Sequence, residues 1–147
     1  MTESASSARR GGTARSRSRL RAVEILFEAE QRGTTPDEGI RARVTHTDLR
    51  VNPYAQQLID GVIAEQERLD EALTSYSRGW SLDRMPAVDR VILRVGAWEL
   101  LFNDEVPDGV AVAEAVSLAQ QLSTDESPEF VNGLLGRLQQ VKPTLLA

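Results

Sequence analysis

Four arginines stand at alternate positions near the amino terminus of this chain: Arg15, Arg17, Arg19 and Arg21. Guanidinium groups bind phosphate through paired N–H donors, so residues of this type at this spacing could hold an anionic polymer. In a helix turning about 100° per residue, Arg15 and Arg19 share one side and Arg17 and Arg21 lie roughly on the other. Such a two-sided arrangement suits a flexible phosphate backbone better than one small anion.

A second interpretation of the arginine cluster is a solvated helix face. In that case Arg21 pairs with Glu24 and Arg17 simply faces water. Cations are disfavoured at a helix amino terminus, because the exposed amide groups already make that end positive. Four arginines there favour a bound anion, but the cluster alone leaves both interpretations open.

Charge is distributed unevenly along the chain. Residues 1–21 contain six arginines and one acidic residue, Glu3, and so carry a net charge of +5. Because the whole chain has a net charge of −5, the remaining residues carry −10. A basic arm on an acidic body is typical of a segment that binds nucleic acid or an acidic partner. The acidic body would repel RNA, so binding should be confined to the arm and the surface beside it.

Several classes of protein are excluded by composition and by missing motifs. The chain has no cysteine and one histidine, His46, which argues against disulfides, thiol catalysis and a metal site. It has no phosphate-binding glycine loop, dinucleotide fingerprint or nucleophile elbow, so we predict no cofactor and no enzymatic activity. No apolar run approaches the roughly 20 residues that cross a bilayer, and Arg21 and Glu24 interrupt any signal-peptide core. We therefore expect a cytoplasmic protein without membrane contact.

Apolar spacing predicts an all-α fold of about seven helices. Residues 1–14 lack such spacing and are predicted to be a disordered tail, and residues 15–147 to be a single helical domain. Gly33 should end the first helix and Thr35 should cap the second. Pro143 should end the last helix.

The strongest helix pattern covers Ser81–Phe102. Its apolar stripe consists of Val88, Val91, Ile92, Val95, Trp98 and Phe102. Glu99 falls within this stripe, and we predict a buried carboxylate held by an arginine or by backbone amides. Gly133 inside the last helix suggests close approach of another backbone or a ligand, although helix packing explains it equally well. Phe27 and Phe130 could stack on bases, but core packing is the commoner role for such residues.

Four groups of residues in the carboxyl-terminal half carry a specific resemblance. They are Leu82-Asp83-Arg84 with Val88-Asp89-Arg90-Val91-Ile92-Leu93-Arg94; Trp98-Glu99-Leu100; Val106-Pro107 with Glu114-Ala115-Val116; and Phe130-Val131-Asn132-Gly133-Leu134-Leu135. In this order and spacing, the chain resembles the NusB family of bacterial transcription antitermination factors, from about Arg15 to Leu138. The resemblance implies two three-helix subdomains plus an extra helix.

The resemblance also implies a function and partners. Members of the family pair with NusE, a small-subunit ribosomal protein, and grip single-stranded boxA RNA in nascent ribosomal RNA transcripts. The pair then joins RNA polymerase and other Nus factors in the antitermination complex. Homodimerisation, which could cover the same surface, stays open.

The resemblance places the family's arginine motif and its partner surface on named residues. The candidate RNA-binding residues are Arg15, Arg17, Arg19, Arg21, Phe27, Glu126, Ser127, Phe130 and Asn132. The candidate NusE-binding residues are Asp83, Asp89 and Arg90, with Glu99 holding that helix. Phe27 stands where the family often has Tyr, so stacking is kept and a hydroxyl contact is lost. Glu126 and Glu129 are acidic at positions where a basic residue would favour RNA binding. Ser18 stands where the family usually has Ala, with little expected consequence.

Two other functions share sequence features with this chain. Some RNA cytosine methyltransferases carry a NusB-like domain, but the missing glycine loop and cysteine nucleophile argue against that activity here. A purely protein-binding helical module, with the arginine arm directed at an acidic partner, is the alternative that the residues themselves leave open.

Overall fold

The structure, a computed structural model, describes residues 13–47 and 52–147, and for residues 42–47 it describes the backbone alone. The helices are α1 (Ala14–Arg32), α2 (Pro36–Thr47), α3 (Pro53–Tyr76), α4 (Ala87–Phe102), α5 (Asp108–Leu122) and α6 (Ser127–Leu145). These ranges contain helices and turns without strands, which confirms the all-α prediction. Within the described ranges there are six helices, against about seven expected for the chain, and α3 is one continuous helix of 24 residues.

The chain forms two compact units, and the boundary falls between Ile59 and Asp60, within α3. In the first unit, α1 begins after Thr13, whose Oγ1 accepts a hydrogen bond from the amide of Ser16 at 3.0 Å. Gly33 ends the helix with a left-handed φ of 67°, which glycine adopts without a Cβ penalty. Thr35 caps α2 through a 3.2 Å bond from the amide of Glu38. Both predicted helix signals are confirmed. Residues 1–12, which make up most of the predicted tail, lie outside the described residues.

In the second unit, α4, α5 and α6 pack on one another. Gly96 allows this close approach, since a Cβ there would lie 2.9 Å from Leu135 Cδ1 and 3.0 Å from Ala115 Cβ. Gly61 of α3 meets the Trp98 indole even more closely, with a Cβ only 2.1 Å from its nearest ring atom. Three mutually packed helices are the arrangement expected for the second subdomain.

The last helix differs from the prediction at its carboxyl end. It continues through Pro143 to Leu145, because a proline in the final turn removes a single hydrogen bond without ending the helix. At its start, Ser127 makes no capping bond to the backbone, and its hydroxyl is used elsewhere.

Within residues 13–47 and 52–147, no helix combines the length and apolar character needed to cross a membrane. Over the same described ranges, no three metal-ligating side chains of His, Cys, Asp or Glu are grouped together.

Candidate nucleic-acid interface

The four arginines of the amino-terminal motif occupy the first two turns of α1 and differ in exposure. Arg15 and Arg17 are exposed, and Arg21 is half-buried. The guanidinium of Arg21 lies 3.8 Å from the Glu24 carboxylate, the pairing expected for a solvated helix face. No acidic residue stands in this first turn to offset the positive end of the helix. The motif therefore presents its positive charge mainly through Arg15 and Arg17.

Arg19 is placed differently, since only 4% of it is exposed. Its guanidinium lies 5.8 Å from the ring centre of Tyr54, and that of Arg15 lies 4.5 Å from the same centre. Both distances are within the range of a cation–π contact. The burial of Arg19 corrects the expectation that it contacts phosphate directly. It lies beneath the surface that Arg15 helps to form.

Ser18 connects the arginine motif to the start of α3. It is buried, with 3% of its surface exposed, and its Oγ lies 2.9 Å from both the Ala14 carbonyl and Asn52 Oδ1. Its single proton can be donated to one of these at a time. Asn52 Oδ1 also caps α3 by accepting from the Ala55 amide at 2.8 Å. Ser18, where the resemblance leads us to expect alanine, thus gives α1 a polar contact to the residue that caps α3.

Phe27, the remaining candidate in the first unit, is half-buried on α1. Its partial exposure is compatible with stacking on a base.

The second candidate RNA patch lies at the start of α6, in the second unit. Glu126 and Asn132 are exposed there, and Phe130 is half-buried. The ring of Phe130 meets that of Trp80 edge to face, with centroids 4.9 Å apart and planes at 70°. Trp80 is also half-buried. The two rings form a partly exposed aromatic pair beside acidic Glu126.

Asp89 and Ser127 are buried together, and neither is exposed to any measurable extent. The Asp89 carboxylate accepts hydrogen bonds from Ser123 Oγ at 2.5 Å and from Ser127 Oγ at 2.7 Å. Thr124 Oγ1 lies 2.9 Å from Ser127 Oγ. This network ties the first turn of α4 to the turn between α5 and α6. It corrects two expectations, since Asp89 does not face a partner and the Ser127 hydroxyl does not face RNA.

The other candidate partner-binding residues divide between surface and interior. Asp83 is exposed in the turn before α4. Arg90 is half-buried and donates from Nη1 to the Leu82 carbonyl at 3.0 Å, which holds that turn against the helix. Glu99 is 1% exposed, a buried carboxylate within the apolar stripe as predicted.

The candidate residues fall in two units. In the first unit Arg15 and Arg19 meet at Tyr54, and in the second Asp89 meets Ser127. The sequence reasoning missed Tyr54 and Trp80. Tyr54 could have been suspected as an aromatic at a helix start marked by Asn52-Pro53. Nothing in the local sequence points to Trp80, because its partner Phe130 is distant along the chain.

Comparison with known proteins agrees with this architecture. The NusB family model matches residues 16–140. The transcription antitermination protein NusB of Pseudarthrobacter chlorophenolicus is 62% identical over 135 residues, which are 92% of this chain and 99% of that protein. The solved NusB of T. maritima has a TM-score of 0.77 at 30% identity, covering 87% of this chain and 92% of that one.

A crystal structure of antitermination factors NusB and NusE in complex with dsRNA has a TM-score of 0.73 at 25% identity, covering 84% of this chain and 94% of that one. The family model and a relative of 62% identity each span most of the sequence. The chain therefore belongs to the NusB family of transcription antitermination proteins.

Proposed function

We propose that the protein is a non-enzymatic adaptor that binds single-stranded boxA RNA of nascent ribosomal RNA transcripts together with NusE. In this role it helps to assemble the antitermination complex on RNA polymerase with other Nus factors, and it works in the cytoplasm. The observation that carries the proposal is the exposure of Arg15 and Arg17 on the first turns of α1, in a chain of the NusB family.

Electrostatics supports an anionic ligand at this helix end. The first turn of α1 carries arginines and no acidic residue, although the amide groups there already favour an anion. A phosphate near Arg15 and Arg17 would be attracted by both guanidinium groups and by the positive end of the helix. Since the rest of the chain is acidic, RNA should be guided to this surface and repelled elsewhere.

Base contacts are assigned to the aromatic residues with exposed surface. Phe130 is half-buried, and Trp80 supports its ring edge to face. A base that stacks on such a pair contributes about 1–3 kcal/mol with little dependence on its identity. Exposed Asn132 can add hydrogen bonds to base edges, which is where discrimination in single-stranded RNA arises.

The NusE-facing surface is assigned to Asp83 and Arg90 at the start of α4. Asp89 and Glu99 are buried on the same helix, and we expect them to hold that helix in place. We expect Asp83→Lys to abolish co-elution with NusE on size exclusion while the helical circular dichroism stays unchanged. Co-elution that persists in this variant would remove Asp83 from the interface.

The test of RNA binding is fluorescence anisotropy of labelled boxA-like RNA against a scrambled strand, with and without NusE, across a salt series. A duplex form of the same RNA is included, because the solved relative in complex with NusE holds dsRNA. The proposal expects a preference for single-stranded boxA that increases when NusE is present.

Two arginine variants on α1 make the test specific. Arg17→Ala should weaken RNA binding and flatten the slope of log K against log salt by about 0.7, the value for one phosphate on a single strand. Arg32→Ala is the matched control, because it removes one charge from the other end of the same helix, where Arg32 pairs with Glu28 at 3.0 Å. Its slope should equal that of the unaltered protein.

Equal and weak binding of boxA and scrambled RNA would contradict the proposal. It would favour the alternative of a protein-binding module whose arginines meet an acidic partner. Identical slopes for Arg17→Ala and Arg32→Ala would remove the arginine motif from the mechanism.

A further inference from the structure

Tyr54, which is not among the candidate RNA-binding residues of the family resemblance, is the meeting point of two arginines of the motif. The guanidinium carbons of Arg15 and Arg19 lie 4.5 and 5.8 Å from its ring centre. Arg15 is exposed, whereas Arg19 is buried and Tyr54 is half-buried. One ring therefore contacts an interior arginine and a surface arginine of the same helix.

A ring face holds a cation in a different way from a carboxylate. The carboxylates of Glu24 and Glu28 lie 3.8 and 3.0 Å from Arg21 and Arg32, and each offsets a positive charge that could otherwise meet a phosphate. The quadrupole of an aromatic ring attracts a guanidinium without supplying a net negative charge. Tyr54 can thus order an arginine without itself neutralising the positive charge of that arginine.

Tyr54 is itself fixed relative to α1. Asn52, two residues earlier, caps α3 by accepting from the Ala55 amide at 2.8 Å, and its same oxygen lies 2.9 Å from Ser18 Oγ. Ser18 stands between the two arginines that meet the ring, one residue before Arg19. The polar contact and the ring contacts therefore join the same stretch of α1 to the start of α3.

Ordering an arginine before binding has a direct effect on affinity. A free arginine side chain loses rotamer freedom when it grips a phosphate, and this loss opposes binding. Two like charges on neighbouring turns also repel each other unless something between them compensates. A ring that contacts both arginines reduces both costs before RNA arrives.

We propose that Tyr54 is a positioning residue of the RNA site, whose ring contacts buried Arg19 and holds exposed Arg15 in the geometry that meets the RNA backbone. This inference rests on the proposed RNA-binding function.

The experiment compares Tyr54→Phe and Tyr54→Leu in the full chain, by anisotropy of boxA-like RNA across the salt series. Tyr54→Phe keeps the ring face and should bind RNA as the unaltered protein does. Tyr54→Leu should raise Kd about three- to tenfold, the effect of losing cation–π contacts of ordinary strength. Its salt slope should change by less than about 0.7, since no phosphate-binding charge is removed.

The matched control is Phe102→Leu, which removes a similar contact in the second unit, where the Arg68 guanidinium lies 4.9 Å from the Phe102 ring centre. It should leave RNA affinity unchanged at a comparable loss of thermal stability. Should Tyr54→Leu fail to fold, Tyr54→Met replaces it, because a flexible thioether fills the same space without a ring face.

A double-mutant cycle with Arg15→Ala shows whether Tyr54 acts through the arginine. In the Arg15→Ala background, Tyr54→Leu should reduce RNA affinity clearly less than it does in the otherwise unaltered protein. Three outcomes would each overturn the positioning role. The first is an equal loss of RNA affinity on Tyr54→Leu in both backgrounds, and the second is unchanged or tighter RNA binding by Tyr54→Leu. The third is a loss of RNA affinity in Tyr54→Phe equal to that in Tyr54→Leu. The unaltered protein tests the proposed function: absence of RNA binding there overturns both proposals, whereas its binding together with an unchanged Tyr54→Leu overturns the positioning role alone.

Discussion

Replacing Asp89 with alanine should destabilise the second unit strongly, although the sequence suggested a surface residue. The carboxylate has no measurable exposure and accepts hydrogen bonds from Ser123 at 2.5 Å and Ser127 at 2.7 Å. In Asp89→Ala both hydroxyls lose this acceptor, that of Ser127 in the interior and that of Ser123 at a partly exposed position. The network joins α4 to the turn between α5 and α6, so its loss weakens the packing of three helices.

The size of the effect follows from the two bonds. A hydrogen bond to a charged group contributes about 1.5–3 kcal/mol, so two give about 3–6 kcal/mol. Removing the carboxylate also removes the cost of burying a charge, which offsets part of this sum. We expect a net loss of about 3 kcal/mol in the free energy of unfolding, in the lower part of the range for broken buried charged networks. Asp89→Asn keeps the volume and one carbonyl acceptor, and should lose about half as much.

Urea unfolding followed by tryptophan fluorescence measures this loss. Both tryptophans of the chain, Trp80 and Trp98, belong to the second unit, so the signal reports on the part that contains Asp89. Asp83→Ala is the matched control: it removes an exposed aspartate six positions earlier and should change stability by less than about 0.5 kcal/mol. Equal unfolding curves for Asp89→Ala and Asp83→Ala would refute the reasoning.

Three further predictions concern the second unit. Gly61→Ala should lose about 1–3 kcal/mol of stability, because its Cβ would lie 2.1 Å from the Trp98 ring. Gly136→Ala, with nothing within 4 Å of its Cβ, should instead gain up to about 1 kcal/mol. A neutral Gly61→Ala in urea unfolding would mean that the Trp98 ring moves aside freely. In a Trp98→Phe variant, boxA RNA should change the emission of Trp80, whose ring lies 4.9 Å from Phe130. Unchanged emission with RNA bound would place the RNA away from Phe130.

The parts of the fold that depend on local chemistry were predictable. Gly33 ends α1 and Thr35 caps α2, because a left-handed turn and an N-cap are settled by the residue and its near neighbours. Close packing was not predictable in the same way. Gly133 was the suspected point of close approach, but a Cβ there would meet only the Arg137 side chain, at 3.4 Å. Gly61 has that role, since what faces a helix is decided by distant residues such as Trp98.

The candidate site was predictable in its residue types and less so in its exposure. Helical spacing places Arg17 and Arg19 on different sides of α1, but it does not say which side lies in the interior. Arg19 is buried and Arg17 exposed, which only the structure decides. Asp89 and Ser127 stand 38 residues apart and meet through a hydrogen bond that neither local sequence indicates.

These differences separate the residues that identify the family from those that can meet RNA. Asp89 and Glu99 belong to the motifs that carry the resemblance, yet both lie in the interior, where they hold helices in place. Arg15 and Arg17 are exposed at the surface, where RNA can reach them. A loss of RNA or NusE binding in an Asp89 charge-reversal variant would therefore report unfolding of the second unit, because a cation there would be buried without an acidic partner of its own. Binding surfaces of this protein have to be tested at exposed positions, with stability measured in the same variants.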